Sequence, residues 1–256
     1  MKNFISTILV LLSFSLVVQS YEEIDYAKRL KESLNQNNLE MSASKIKIEA
    51  LKLRNWASKD FFENEIQKFI EEDTVSFPKK NQVLFVGSSS IRFWLSLKQD
   101  MEPISVINRG FGGSQIVHVN NSFDEIVAPY NPKAIVFYCG SNDLAGLKEP
   151  KEVFNEFKVF YEEVRSRLPS TKVFVIGIKP SPSREYQEDK QIRWNNMISD
   201  LAIKENNLFF LDVWPAMLME NGKADPSLFI KDMLHMNKKG YEVWTGIVKP
   251  ALLDQL

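Results

Sequence analysis

The sequence predicts an α/β domain with a five-stranded parallel sheet and an added helical segment before it. Three observations carry this. After Pro78 come five short runs, at 83–86, 104–107, 134–138, 173–178 and 208–213, each rich in β-branched or aromatic residues. Their apolar character is nearly continuous, as in strands buried on both faces. Helical stretches fall between them, as at 150–168 and 184–203, where Trp194, Ile198 and Leu201 recur at i, i+4 and i+7. Strands alternating with helices argue for a parallel sheet covered on both sides.

The chain begins with Lys2 and an uncharged, mostly apolar run over 4–18. These fifteen residues fall short of the roughly 20 that span a bilayer. Val18-Gln19-Ser20 puts small or modest residues where a signal peptidase cuts. Residues 1–20 therefore read as a secretory signal, with an N-terminal anchor or buried helix as the alternative. A lipid-modified terminus needs a cysteine just after this run, and the one cysteine is Cys139. The expected mature protein is exported, to a periplasm or the medium, without stable membrane insertion. Its net charge is −2, because the segment carries Lys2 and no acid. One cysteine permits no intrachain disulfide, so a packed core must supply the stability.

Residues 21–75 are rich in Lys, Glu, Asn and Gln. Ile24, Ala27, Leu30 and Leu34 are near helical spacing, as are Phe62, Ile66 and Phe69. Two or three amphipathic helices are predicted here, padding the surface of a main domain over 76–256. Hydrophobic residues make up 44% and charged residues 25%, which excludes a wholly disordered chain, a fibre or a polytopic membrane protein. With 32 basic and 33 acidic residues, nothing electrostatic points to nucleic acid or an anionic membrane as partner. The sequence leaves the oligomeric state open.

Ligands of parallel sheets bind beyond the carboxyl ends of the strands. The first three runs lead into Gly87-Ser88-Ser89-Ser90-Ile91-Arg92, Asn108-Arg109-Gly110-Phe111-Gly112-Gly113-Ser114-Gln115 and Gly140-Ser141-Asn142-Asp143. Asp232-Met233-Leu234-His235 precedes the last helical stretch. Neither G-x-G-x-x-G nor G-x-x-x-x-G-K-[ST] occurs, which disfavours a nucleotide. Together the blocks hold the parts for acyl transfer. A serine hydroxyl needs a base, and the chain has two histidines, His118 and His235. His235 can act as the base, and Asp232 can set its tautomer. A developing oxyanion needs preset donors, each worth roughly 3–4 kcal/mol of barrier. Gly113 N–H, the Asn142 amide and Ser89 N–H are the candidates.

These four blocks resemble the SGNH or GDSL-type serine hydrolases, esterases and lipases named for Ser, Gly, Asn and His in separate blocks. Gly87-Ser88-Ser89 occupies the G-D-S position, Gly113 the second-block glycine, Gly140-Ser141-Asn142-Asp143 the G-x-N-D and Asp232–His235 the D-x-x-H. The resemblance runs from about Phe61 to the last helix, nearest the branch related to platelet-activating-factor acetylhydrolase subunits. It implies a three-layer α/β/α flavodoxin-like fold. It assigns Ser89 as nucleophile, Asp232 and His235 as its partners, and Ser89, Gly113 and Asn142 as the oxyanion hole. Ser88 stands where the family usually has aspartate. That acid is not the one paired with the histidine, and Ser89 is preferred over Ser88 and Ser90.

The expected protein is a secreted serine esterase acting on small-molecule or carbohydrate esters, with small acyl groups favoured and no metal or organic cofactor. Alternatives are a lysophospholipase or thioesterase with a longer acyl pocket, or a non-catalytic glycan- or lipid-binding module. His118 is expected at the surface or on a pocket wall. Cys139 and Trp94 are expected in the core, Asp143 as a support of the Asn142 loop and Asp212 as a loop cap. Arg92 is a candidate pocket residue. Arg109 is a candidate contact to an anionic or sugar substrate.

Overall fold

The structure, a computed structural model, describes residues 24–256. The signal assigned to residues 1–20 lies outside the described residues. Helices α1 (Tyr26–Gln36), α2 (Ala43–Trp56) and α3 (Glu63–Val75) come first. Asp25 and Ser42 cap the first two by accepting from Lys28 N–H and Lys45 N–H, satisfying amides that have no partner within the helix. Arg29 of α1 reaches across to the Glu152 carboxylate at 2.6 and 2.8 Å and to Leu147 O at 2.8 Å.

Strand β1 (Val83–Gly87) leads into α4 (Ser89–Arg92) and α5 (Leu97–Asp100), then β2 (Val106–Gly110), α6 (Ile116–Asn121) and α7 (Phe123–Ile126). Next come β3 (Ala134–Tyr138), α8 (Ser141–Ala145), α9 (Pro150–Arg167) and β4 (Lys172–Ile176). A 3-10 segment (Pro182–Gln187), α10 (Glu188–Ala202), β5 (Leu208–Leu211) and α11 (Lys238–Gln255) complete the chain. All strand pairs are parallel, in the order β2-β1-β3-β4-β5, which is the flavodoxin-like order.

Side-chain alternation along the strands builds two cores. Leu84, Val86, Ile135, Phe137, Val173 and Val175 pack with α3, α6, α7, α9 and α10 on one face. Val83, Phe85, Val136, Phe174 and Ile176 pack with Trp94, Leu97 and the Tyr241, Trp244, Val248 and Leu252 stripe of α11 on the other. Helices thus cover both faces of the sheet.

Strand boundaries depart from the apolar runs for identifiable reasons. The second strand continues past Ile107 through Asn108-Arg109-Gly110, because β2 is an edge strand and its polar side chains find local partners. Asn108 donates to Ile91 O and accepts from Gly110 N–H. Arg109 is buried, pairs with Asp73 of α3, donates to Tyr130 Oη at 2.7 Å and packs over Phe69 and Tyr130. It clamps α3 to the sheet edge, and its burial there sets aside the substrate contact that the sequence offered as one candidate role. Strand β5 ends at Leu211, where Asp212 turns the chain by accepting from Trp214 N–H. The helix expected from 184 begins as the 3-10 segment, broken at Arg184, and is regular only from Glu188.

Gly87 closes β1 with φ of 132°, and a Cβ there would meet Tyr138 O at 2.0 Å. Gly87→Ala is expected to lower stability by roughly 3 kcal/mol or more, from backbone strain plus the clash. A urea midpoint equal to that of wild type would show that this close approach does not exist.

Candidate active site

Register places the site. Gly87 pairs with Gly110 on one side and Tyr138 on the other, so β1, β2 and β3 end level. Their following turns leave one rim of the sheet together. Ser88 N–H donates to Tyr138 O at 2.9 Å and Phe111 N–H to Gly87 O at 3.0 Å, stitching the three turns to each other. On the far face the Tyr241 hydroxyl of α11 donates to Ser90 O at 3.0 Å, which holds the segment after His235 against the Ser89 turn.

Of the three consecutive serines, Ser88 and Ser90 are buried and Ser89 is half-buried. Ser89 Oγ lies 2.9 Å from His235 Nε2, and His235 Nδ1 lies 2.6 Å from Asp232 Oδ2. A carboxylate only accepts, so Nδ1 carries the proton and Nε2 is left to accept from the Ser89 hydroxyl. Asp232 Oδ1 accepts from the Leu234 and His235 amides, both at 2.9 Å. Against some desolvation, the His235 hydrogen bond and these two amides hold Asp232 down at about 2. It therefore stays anionic at any ordinary pH. The Phe93 ring stands edge-on to His235 with centroids 4.9 Å apart.

Gly113 and Asn142 come off β2 and β3, which flank β1. Asn142 Nδ2 donates to Ser114 O at 3.0 Å, joining the residue after Gly113 to the third block. Asn142 Oδ1 accepts from Arg184 at 2.8 Å. Gly113 has φ of 75°, in the left-handed region that favours glycine, and its carbonyl accepts from Trp56 Nε1 at 2.9 Å. Asp143 accepts from Ile116 N–H and from Lys148 Nζ at 3.0 Å, so it supports the second block as well as its own loop. Lys148 also holds Glu156 at 2.7 and 2.8 Å. Buried ions need such partners.

His118 is not at the surface or on a pocket wall, as the sequence suggested. It is buried on α6, accepts from Gln115 N–H at Nδ1 and contacts Ser58 O through Nε2 at 3.0 Å. Phe62 packs edge-on against it. The ring bridges the second block to the α2–α3 segment because a neutral imidazole offers one acceptor and one donor. Burial pulls its pKa down to about 4. Cys139 is fully buried, and burial pushes its thiol up. Trp94 is core and donates to Asp100. Arg92 is exposed beside Phe93.

Three residues near the site escaped the sequence reading. Trp56 lies far upstream, with no local signal. Lys179 and Arg184 follow the fourth strand, and reading the strand-end rule there too would have found them. Lys179 is buried, donates to Leu234 O at 2.6 Å and sits 5.0 Å over the Phe229 ring. Burial, reinforced by Arg184 and opposed by Asp232, lowers it to about 7. Among the described residues, no three His, Cys, Asp or Glu side chains cluster to hold a metal, and no helix is long and apolar enough to cross a membrane.

The profile of the GDSL-like Lipase/Acylhydrolase family matches residues 87–243. No curated protein matches the chain in sequence. Solved structures share the fold. A protein from Streptococcus pneumonia named for platelet activating factor is 22% identical, with TM-score 0.69. The match covers 83% of this chain and 100% of that one, more than 76–256 alone accounts for. A GDSL-like lipase from Bacteroides thetaiotaomicron is 21% identical, with TM-score 0.63 over 75% of this chain and 98% of that one. A carbohydrate esterase family 3 protein from Talaromyces cellulolyticus is 17% identical, with TM-score 0.54 over 68% and 97%.

His118 makes stability depend on pH with a definite sign. The unfolded ring takes up a proton as pH falls below 6.5, whereas the folded ring stays neutral down to about 4. Acid in that window therefore favours the unfolded chain. The contribution is complete above pH 6.5 and is lost as pH falls towards 4, to the extent of about 3 kcal/mol. Denaturant titrations across the window should show His118→Gln losing less stability than wild type. Parallel pH curves for the two proteins would contradict this account of the ring.

Proposed function

The chain belongs to the GDSL-like lipase/acylhydrolase family, and on that footing we propose that it is a secreted serine esterase cleaving short-chain acyl esters through an acyl-serine. The single observation that carries this is the unbroken Asp232–His235–Ser89 hydrogen-bond chain. In the first step His235 Nε2 takes the Ser89 proton as Oγ bonds to the ester carbonyl carbon. The carbonyl oxygen becomes an oxyanion, received by Ser89 N–H, Gly113 N–H and the Asn142 amide. The tetrahedral species collapses, its C–O bond to the alcohol breaks, and His235 gives its proton to the leaving oxygen. Water then loses a proton to His235 and attacks the acyl-serine. The carboxylic acid departs and Ser89 regains its proton. Asp232 stays ionised and stabilises the imidazolium.

Residues 1–20 serve as the export signal, 21–75 as a helical extension and 76–256 as the hydrolase domain. Export and the fold shared with a carbohydrate esterase favour a small-molecule or carbohydrate ester as substrate. The Phe93 ring, close against His235, narrows one side of the site and favours small acyl groups. A second reading, long-chain acyl hydrolysis, has its own support. Leu95 is 90% exposed, and Ile230 and Met233 are also exposed near the Ser89 and His235 turns. Such apolar surface suits an acyl chain.

Ser89→Ala should abolish labelling by a fluorophosphonate and lower turnover of p-nitrophenyl acetate by at least about 10⁴-fold. Undiminished labelling would remove Ser89 as nucleophile. Asn142→Ala should lower kcat by about 10²-fold. In a series of esters from acetate to palmitate, kcat/KM should fall with chain length. A rise toward palmitate selects the second reading.

A further inference from the structure

Arg184 stands outside the four blocks, yet it touches the third directly. One terminal nitrogen donates to Ser141 Oγ at 2.6 Å and the other to Asn142 Oδ1 at 2.8 Å. The residue is brought there by the 3-10 segment after β4, where its φ of −125° and ψ of 23° break the helical course. Arg184 N–H is held by Ser181 O, and the neighbouring Ser183 N–H by Met233 O inside the Asp232–His235 turn. One short segment thus braces both the Asn142 side of the site and the His235 side.

A guanidinium can only donate, so it must face the oxygen of the Asn142 amide. The Ser114 carbonyl can only accept, so it must face the nitrogen, which it does at 3.0 Å. Two partners of opposite sense leave the amide a single orientation. Nδ2 carries two hydrogens, and Ser114 uses one of them. Among the described residues nothing accepts the other, which leaves it for an incoming oxyanion.

We propose that Arg184 is a positioning residue that fixes the Asn142 amide with this N–H toward the reacting carbonyl and strengthens it as a donor. The proposal rests on reading the site as an ester-hydrolase oxyanion hole. Hydrogen bonds in a chain polarise one another, so a cation on Oδ1 makes the amide N–H more acidic. Among the described residues no carboxylate forms an ion pair with Arg184. Its charge therefore remains available to an anion forming on the far side of the amide. That charge exists in the transition state and not in the neutral ester, so the effect falls on kcat and not on KM.

The competing role for a cation here is to bind an anionic part of the substrate, which acts on KM and is independent of Asn142. p-Nitrophenyl acetate has no anionic part, so a kcat loss with it reports the Asn142 route and an unchanged kcat overturns the proposal; a double-mutant cycle measures that route. Arg184→Met should lower kcat roughly 5- to 50-fold, less than loss of the donor itself, with KM within about twofold. Arg184→Lys keeps the charge without the fork and should lie between Arg184→Met and wild type. In an Asn142→Ala background Arg184→Met should cost almost nothing more. A loss that persists undiminished in that background, or that falls on KM alone, overturns the proposal. The Asn142 side-chain amide resonances report orientation without turnover. They should shift in Arg184→Lys relative to wild type, and an unchanged pair also overturns it. Inertness of wild-type protein toward esters would sink the hydrolase reading instead, leaving the amide measurement to judge Arg184 by itself.

Discussion

The backbone register of three parallel strands is the constraint on which the rest of this molecule depends. Because Gly87 stands opposite Gly110 and Tyr138 in adjacent ladders, three turns are released side by side. Ser89, Gly113 and Asn142 each sit on one of them. A shift of one residue in any of these strands would reverse its buried and outward faces and carry the turn about 3.3 Å along the sheet. Two apolar layers, one on each face, make such a slip costly. The precision needed for acyl chemistry is thus borrowed from core packing.

Behind the rim lies a polar frame with few alternatives open to it. Asp143 holds the start of α6 and the buried Lys148, and Lys148 holds Glu156 of α9. Neutral His118 joins α6 to Ser58. Lys179 grips the carbonyl of Leu234, next to His235. Each of these groups would be expensive to bury alone, and each is satisfied by one defined arrangement of its neighbours. The frame therefore holds in place the turns that carry the candidate site residues.

The N-terminal helices do more than cover apolar surface. Their segment over 43–75 sits before the family match yet reaches the second block at several points. Trp56 holds the Gly113 carbonyl, Phe62 packs on Phe111 and His118, and Asp73 pairs with Arg109. The turn that offers Gly113 is consequently pinned from outside by residues that a reading of the four blocks leaves aside. Padding was the sequence expectation for this segment. The indole and carboxylate contacts give it a structural part in the site.

The alternation of β-branched runs with helical stretches determined the layered parallel sheet, since burial on both faces leaves an unmistakable apolar signature. Residue type and strand-end position likewise singled out Ser89, Asp232, His235, Gly113 and Asn142, because scarce chemistry in short blocks is visible locally. The extent of β2 was not legible, since an edge strand tolerates Asn108 and Arg109 once Ile91, Tyr130 and Asp73 satisfy them. Nor was the burial of His118, or the reach of Trp56 and Arg184 into the site. Those contacts join residues dozens of positions apart, and hydrogen bonds of that range leave no periodicity in the chain. Only the packing of helices across the sheet decides which distant donor meets which acceptor.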